Sequence, residues 1–291
     1  MRVYVTGAGG QLGGALAATA PPGAELAGLT SVDLDITDAV AVHAWANCLM
    51  PSDVLINCAA YTRVDDAETD VTRAAAVNSD GPANLAAQTA AVGARLIHLS
   101  TDYVFDGPSA PAPSTRNTPY EPGDTGGDPP SVYGRTKLAG ERRLAAIDPA
   151  ATIVRTSWLY TGGRQDHDFV STMRRLSGER DRLTVVDDQI GSPTYAPDLA
   201  RGLWELIDAG AGRGAIVHAA NAGQTTWCGL ARAVFAGDGL DPDRVVACST
   251  ADFPRPAPRP AYSVLSGRSW VELRLTPLRH WRDALSAALV G

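Results

Sequence analysis

Arg2-Val3-Tyr4-Val5-Thr6-Gly7-Ala8-Gly9-Gly10-Gln11-Leu12-Gly13-Gly14 opens the chain with a short apolar strand that runs straight into glycine. An alanine-rich stretch follows and reads as a helix from Ala15 to about Ala20. Strand, glycine turn and helix in that order are the context a dinucleotide-binding turn requires. Glycines let backbone N–H groups close on a pyrophosphate at the helix N-terminus, where the dipole favours negative charge. The spacing Gly7, Gly10, Gly13 is GxxGxxG rather than GxGxxG, and a plain turn is the alternative for such a cluster taken alone.

Working outward, Glu25 to Leu29 reads as a second strand, at whose end the ribose of a bound dinucleotide would lie. An acid there selects NADH and an arginine favours NADPH; Thr30 and Ser31 are neither and leave the choice open. Thr37 or Asp38 can cap the next helix, which carries Val40, Val42 and Trp45, and Asp35 and Ile36 lie within reach of an adenine edge. Residues 53–62 form an apolar run ending in small residues, the pattern of a central parallel strand facing a ligand crevice. Residues 66–78 and 82–92 read as helical. Residues 95–105 read as a buried strand that presents Thr101 at the carboxyl edge of the sheet, for catalysis or simply to satisfy a backbone group. The alternation specifies an α/β fold, a Rossmann-type doubly wound parallel sheet over residues 1–160 with elements near 196–220 joining it. Residues 161–291 are expected to form mainly a smaller C-terminal substrate-binding lobe.

A second stretch carries chemistry: Ser131-Val132-Tyr133-Gly134-Arg135-Thr136-Lys137-Leu138-Ala139-Gly140-Glu141. At the start of a helix, Tyr133 and Lys137 project from one face, one turn apart. Lys137 is the only lysine among 25 basic residues. A compact ammonium beside a phenol stabilises the phenolate, so the pair is suited to acid/base work. An incidental Tyr and Lys on one helix is the alternative.

Length and composition narrow the class. The 291 residues are 45% hydrophobic and 20% charged, enough for a full core. No apolar run reaches the length of a membrane span, and the first residues already form a strand, which points to a cytoplasmic protein with no membrane partner. The net charge of -7 argues against a nucleic-acid partner. Cys48, Cys58, Cys228 and Cys248 are scattered without metal spacing, and the five histidines form no HxH or HxxxH pair, so no metal is expected. Buried reduced thiols are the expected state.

Residues 107–130 are rich in Pro, Gly, Ser, Thr and Asp and read as a mobile surface loop, either a flap beside the site or a tolerated insertion. Phe253-Pro254-Arg255-Pro256-Ala257-Pro258-Arg259-Pro260 is a proline-rich strap whose arginines either meet an anionic substrate or lie solvated.

Thr6 to Gly13, Asn57 to Thr62, Leu99 to Gly107 and Tyr133 to Glu141 together resemble the extended short-chain dehydrogenase/reductases and, more narrowly, the dTDP-4-dehydrorhamnose reductase family. Val154 to Tyr160, Asp188 to Thr194 and Arg259 to Leu265 extend the resemblance over nearly the whole chain. It implies that Tyr133 is the proton donor, that Lys137 lowers its pKa and binds the nicotinamide ribose, and that Thr101 hydrogen-bonds the reacting oxygen. Thr101, Asp102 and Trp158 match substrate-binding positions. Gly7, Gly10, Gln11, Leu12, Gly13, Asp35, Ile36, Ala60, Tyr61, Thr62, Tyr133 and Lys137 match cofactor-binding ones. The implied reaction carries hydride from NADPH or NADH to C4 of dTDP-6-deoxy-L-lyxo-4-hexulose, giving dTDP-L-rhamnose for cell-envelope polysaccharide. Ala15 stands where some family members have a Glu that helps a metal bridge a dimer, so a monomer or weak homodimer is expected. The loop between Thr101 and Tyr133 also looks longer than usual.

Three other readings share the motifs. A 4,6-dehydratase needs an acid immediately after a Thr-Asp pair, where this chain has Tyr103. Another sugar-nucleotide reductase or an epimerase would differ in what it binds and whether it keeps its cofactor. A non-catalytic NADP-binding subunit resembling that of methionine adenosyltransferase would show a protein partner and no turnover.

Overall fold

The structure is a computed structural model and describes every residue except Pro111, Pro113, Thr115, Thr125, Gly126, Arg164, Gln165 and Gly291. Its centre is a six-stranded parallel sheet. In chain order it holds β1 (Arg2–Thr6), α1 (Gln11–Ala18), β2 (Glu25–Leu29), α2 (Ala39–Ala46), β3 (Val54–Asn57), α3 (Val64–Ala67), α4 (Val71–Ala75), α5 (Gly81–Val92), β4 (Arg95–Thr101), α6 (Val132–Ile147) and β5 (Thr152–Thr156). The second half contributes β6 (Leu159–Tyr160), α7 (Phe169–Leu176), β7 (Leu183–Val186), β8 (Ile190–Gly191), β9 (Thr194–Tyr195), α8 (Ala196–Asp208) and β10 (Ile216–His218). β11 (Thr225–Thr226), α9 (Trp227–Gly237), β12 (Val245–Cys248), α10 (Arg268–Glu272) and α11 (Trp281–Val290) complete it.

The large sheet runs β10-β5-β4-β3-β1-β2. Both faces are covered, which explains why its central strands are apolar almost throughout. Val3, Val5, Ile56, Ile97, Val154 and Val217 pack under α1 and α8. The alternate residues Tyr4, Leu55, Leu96 and Ile153 pack under α2, α5 and α6. The chain winds from β1 out to β2, then returns to place β3 on the other side of β1. The carboxyl ends of β1 and β3 therefore border the point where winding reverses, the usual place for a ligand crevice in such sheets.

α1 begins at Gln11, four residues before the sequence suggests, and so takes in Gly13 and Gly14. Close packing overrides the low helical propensity of glycine here: a Cβ on Gly13 would lie 2.6 Å from Ala8 Cα. Gly7 has φ +70°, and a Cβ there would sit 2.7 Å from Ala59 N. The two strand-end turns thus approach backbone to backbone. The helix read over 66–78 is interrupted instead. α3 and α4 are short, and residues Ala76–Asp80 form a π-turn. That turn aims buried Asn78 at two targets: it accepts from Tyr61 N at 2.8 Å and donates to Thr136 Oγ1 at 3.2 Å.

The smaller lobe has its own core, in which Val170, Met173, Val185, Leu230, Val234, Phe235 and Leu285 pack together. The parallel pair β7–β12 lies at its centre. All four cysteines are free, but only Cys228 is fully buried: Cys58 and Cys248 are half-buried and Cys48 is exposed. Among the described residues no helix is long and apolar enough to cross a membrane.

Described parts of the loop over 107–130 are anchored rather than free. Ala110 N donates to Arg259 O at 2.9 Å, and Tyr120 N to Val264 O at 2.8 Å. Tyr120 is buried and stacks on Phe105 at 4.0 Å. The single aromatic in this polar stretch ties it to the strap. Residues 111, 113, 115, 125 and 126 of the expected flap lie outside the described residues.

One buried ion pair fixes α6 on the sheet. Arg155 Nη2 on β5 meets Glu141 Oε2 at 2.6 Å, and Nε meets Oε1 at 2.9 Å, with side-chain exposures of 0% and 3%. Removing one partner strands the other charge in the interior, so Glu141→Ala is expected to cost roughly 3–5 kcal/mol in urea unfolding. A loss below ~1 kcal/mol, as for an exposed pair, would contradict the role given to it.

Candidate active site

Three elements converge at the carboxyl edge of the sheet. β4 ends at Thr101. α6 starts beside it, its first turn capped by Ser131 Oγ, which accepts from Gly134 N at 3.1 Å. Val132 N is also held, donating to Glu68 Oε1 at 2.8 Å. The glycine turn after β1 completes the edge.

Tyr133 and Lys137 lie on the face of α6 that packs on the sheet, 9% and 2% exposed. The Tyr133 phenol lies close to the Thr101 hydroxyl. Burial pushes its pKa up to about 12; the Thr101 hydroxyl pulls it down and nearby Asp102 pushes it up. Lys137 is not aimed at the phenol. Its Nζ donates to Leu99 O at 2.7 Å and lies 3.4 Å from His98 Nε2. Burial pulls the ammonium down to about 8, against the opposing charges of Glu141 and Cys58. At neutral pH the pair therefore presents a protonated phenol beside a largely protonated, unusually acidic ammonium.

Asp102 is 2% exposed. Its Oδ1 accepts from Thr101 Oγ1 at 3.1 Å, and Ser263, three residues past the strap, lies near the carboxyl. Oδ2 is buried without a partner, the kind of orphan that a substrate hydroxyl satisfies. Burial raises this carboxyl to about 6. Tyr103 packs edge-on to Tyr133 with ring centroids 5.4 Å apart.

The positions expected to bind a cofactor occupy the other half of the edge. Gly10 caps α1 without any side chain on the helix N-terminal N–H groups, and a Cβ on Gly9 would meet nothing nearer than 4.0 Å. That open, side-chain-free turn fits a pyrophosphate. Gln11 is half-buried at the first position of α1, whereas Leu12 is buried in the core. Asp35 Oδ1 accepts from Thr37 N and Oγ1 at 2.9 and 2.7 Å, and Asp38 is the cap of α2. Ile36 is buried against Gly81, so its backbone rather than its side chain borders the crevice. Tyr61 is buried with its backbone clamped by Asn78. Ala60 is half-buried and Thr62 exposed.

Trp158 has φ +46° and lies flat on Trp227, centroids 3.5 Å apart and planes 5° from parallel. Its indole would collide with any side chain at Gly191. Neither Trp227 nor the buried His98 stands out in the sequence, because only tertiary contacts bring them to the site; Asn57 opens a motif there but carries no signal of its partners. Ser263 lies inside a motif of the sequence but carries no local signal. Arg255 lies solvated and Arg259 is mostly covered, but neither is unpaired: they meet Asp65 at 3.2 and 2.9 Å. Burial raises Asp65, but these bonds and charges outweigh it and hold the carboxylate below its usual range.

A parallel sheet with a glycine turn at its winding reversal, and a Tyr–Lys pair one helical turn apart beside a strand-end Thr, place the protein among the extended short-chain dehydrogenase/reductases. The family model described as RmlD substrate binding domain matches residues 1–290. A dTDP-4-dehydrorhamnose reductase of Mycobacterium tuberculosis is 54% identical over 291 residues, covering 100% of this chain and 93% of that protein. A dTDP-4-dehydrorhamnose reductase structure from Clostridium acetobutylicum superposes with TM-score 0.90 at 38% identity, covering 100% of this chain and 99% of that one. One from Bacillus anthracis, in complex with NADP, gives TM-score 0.91 at 34% identity over 99% of this chain and 98% of that one. The chain belongs to the dTDP-4-dehydrorhamnose reductase family.

Asp102 gives the site a signature in stability. It holds its proton more tightly folded than unfolded, so the native state carries an extra proton between about pH 4 and 6 and loses stability as pH rises through that window. Asp102→Asn removes this titration. Between pH 4 and 6 the variant is expected to gain on the order of 2–3 kcal/mol relative to the unaltered protein in urea unfolding. A constant offset across that window would show that the carboxyl does not titrate there.

Proposed function

We propose that this protein reduces the C4 keto group of dTDP-6-deoxy-L-lyxo-4-hexulose to give dTDP-L-rhamnose, using NADPH or NADH. The observation that carries the reading is the buried Tyr133 phenol close beside Thr101 at the carboxyl edge of the sheet, within a chain 54% identical to a reductase of that name. A bound nicotinamide supplies the hydride. The protein's own part is to hold the keto oxygen between two hydroxyls and stabilise the charge that develops there.

Tyr133 is the proton donor. With a pKa near 12 the phenol keeps its proton at neutral pH and gives it up only to a strong base such as an alkoxide. Thr101 hydrogen-bonds the same oxygen. Asp102, through its free Oδ2, binds a hydroxyl of the sugar, and Trp158 braced on Trp227 offers a flat apolar wall. Gly7, Gly10, Gln11 and Gly13 would hold the pyrophosphate, and Asp35, Ile36, Ala60, Tyr61 and Thr62 would line the adenosine half. Lys137 would anchor the nicotinamide ribose and, by its charge, ease the proton off Tyr133. Arg259 neutralised by Asp65 serves as a strut between the strap and α3 rather than as an anion receptor.

We assign the dinucleotide lobe to residues 1–160 with 196–220, and the substrate lobe mainly to the rest of 161–291; the separate cores of the two parts support this division. We place the activity in the cytoplasm, in a monomer or weak homodimer.

Oxidation of NADPH or NADH in the presence of the 4-keto sugar nucleotide tests the reading, with turnover required to depend on both. Tyr133→Phe is expected to lower kcat by about 10²–10⁴-fold while largely sparing cofactor binding. A variant with unaltered kcat would remove Tyr133 as the donor. Lys137→Arg is also expected to impair turnover, because the planar, longer cation cannot sit on Leu99 O within the same buried space. Full activity in that variant would show that any cation suffices.

A further inference from the structure

Nothing above uses Asn57 and His98, yet both are fully buried and paired across neighbouring strands beside Lys137. Ala59 N and Thr6 Oγ1 donate to Asn57 Oδ1 at 3.1 and 2.7 Å. A main-chain N–H can only donate, so the Asn57 amide has one orientation, with Nδ2 facing His98 Nδ1 at 3.0 Å. An amide N–H likewise only donates. His98 Nδ1 must accept, and the single proton of the ring sits on Nε2, 3.4 Å from Lys137 Nζ. Burial first, and the Lys137 charge second, keep the imidazole well below its usual pKa and therefore neutral.

We propose that Thr6, Asn57 and His98 form a one-way hydrogen-bond chain that turns the His98 Nε2–H toward Lys137 Nζ, making His98 a positioning residue that favours the neutral amine at Lys137. The proposal rests on the reading of Lys137 as part of the reductase's proton-handling set. An N–H aimed at an ammonium opposes its charge, whereas the same N–H is a good donor to an amine lone pair. The other groups facing Nζ are Cys58, whose thiol burial pushes up to about 12, and Glu141, itself held by Arg155. Burial outweighs both, which act to raise it, and leaves Lys137 near pKa 8, close to working pH. After Tyr133 has given its proton away, an acid of this strength is matched to recharge the phenolate through a bridging hydroxyl or water, since Nζ itself is held on Leu99 O: the Tyr133 oxygen gains a proton, Nζ ends as a neutral amine facing the His98 N–H, and solvent restores the ammonium. Because Thr6 precedes Gly7 directly, the chain also ties the lysine to the glycine turn.

Lys137 is the only lysine, so lysine-selective ¹³C labelling of the full chain gives one side-chain titration curve. Its midpoint is expected near about 8. His98→Asn keeps an acceptor for Asn57 Nδ2 but leaves room for water beside Nζ, and is expected to move the midpoint up by about 1 unit. An unmoved midpoint in the folded variant would overturn the proposal. Should the variant not fold, ¹⁵N-histidine spectra of the unaltered protein decide: the Nε2–H tautomer at His98 supports the chain, and the Nδ1–H tautomer refutes it. Neither readout needs turnover, so an inactive protein with the expected titration shift would count against the reductase reading and not against the chain.

Discussion

A single ammonium is buried where β4 meets α6, and much of the surrounding polar structure follows from making that tolerable. Desolvating a lysine costs several kcal/mol unless hydrogen bonds and opposite charge offset it. Leu99 O accepts a hydrogen bond from it, and Glu141, one turn further along α6, supplies negative charge at longer range. Glu141 is not spare, because Arg155 holds it in a two-point contact. The motif from Tyr133 to Glu141 therefore reads as one electrostatic unit: a buried phenol, an ammonium one turn further along, and an ion pair that pins the helix carrying both.

The position of that helix is decided from the opposite side. A Cβ at Gly140 would lie only 2.0 Å from Asn78 O, so α6 packs directly on the π-turn. Asn78 in turn clamps Tyr61 at the end of the β3 connection. The turn after β3 and helix α6 are thus joined through one buried amide. A second amide, Asn57, does the same between the glycine turn and His98. The candidate site is precise because its parts hang on shared buried polar groups, each with few alternative partners.

Much of this fold can be read locally. β1 with its glycine turn, the apolar runs of β3 and β4, and the Tyr–Lys spacing all express short-range rules, so the doubly wound sheet and Thr101, Tyr133 and Lys137 are legible in the sequence. The start of α1 is not, because glycines at 13 and 14 argue against helix until their packing against Ala8 is seen. Nor is the break at the π-turn, whose purpose is a contact between Asn78 and Thr136, 58 residues apart. Asn57 and His98 look like ordinary strand residues; their meaning depends on which neighbours the sheet register brings alongside. Tyr120 shows the converse. A polar, proline-rich stretch reads as a free loop, but one buried aromatic stacked on Phe105 is enough to anchor its described part.

The account stands or falls on where the hydride goes. Reduction with NADPH or NADH carrying deuterium at the transferable position of the nicotinamide, followed by NMR of the product sugar nucleotide, tests it most directly. One deuterium at C4 of a 6-deoxyhexose is the result the account requires. Consumption of the 4-keto substrate without deuterium at C4, or deuterium at another carbon, would contradict it.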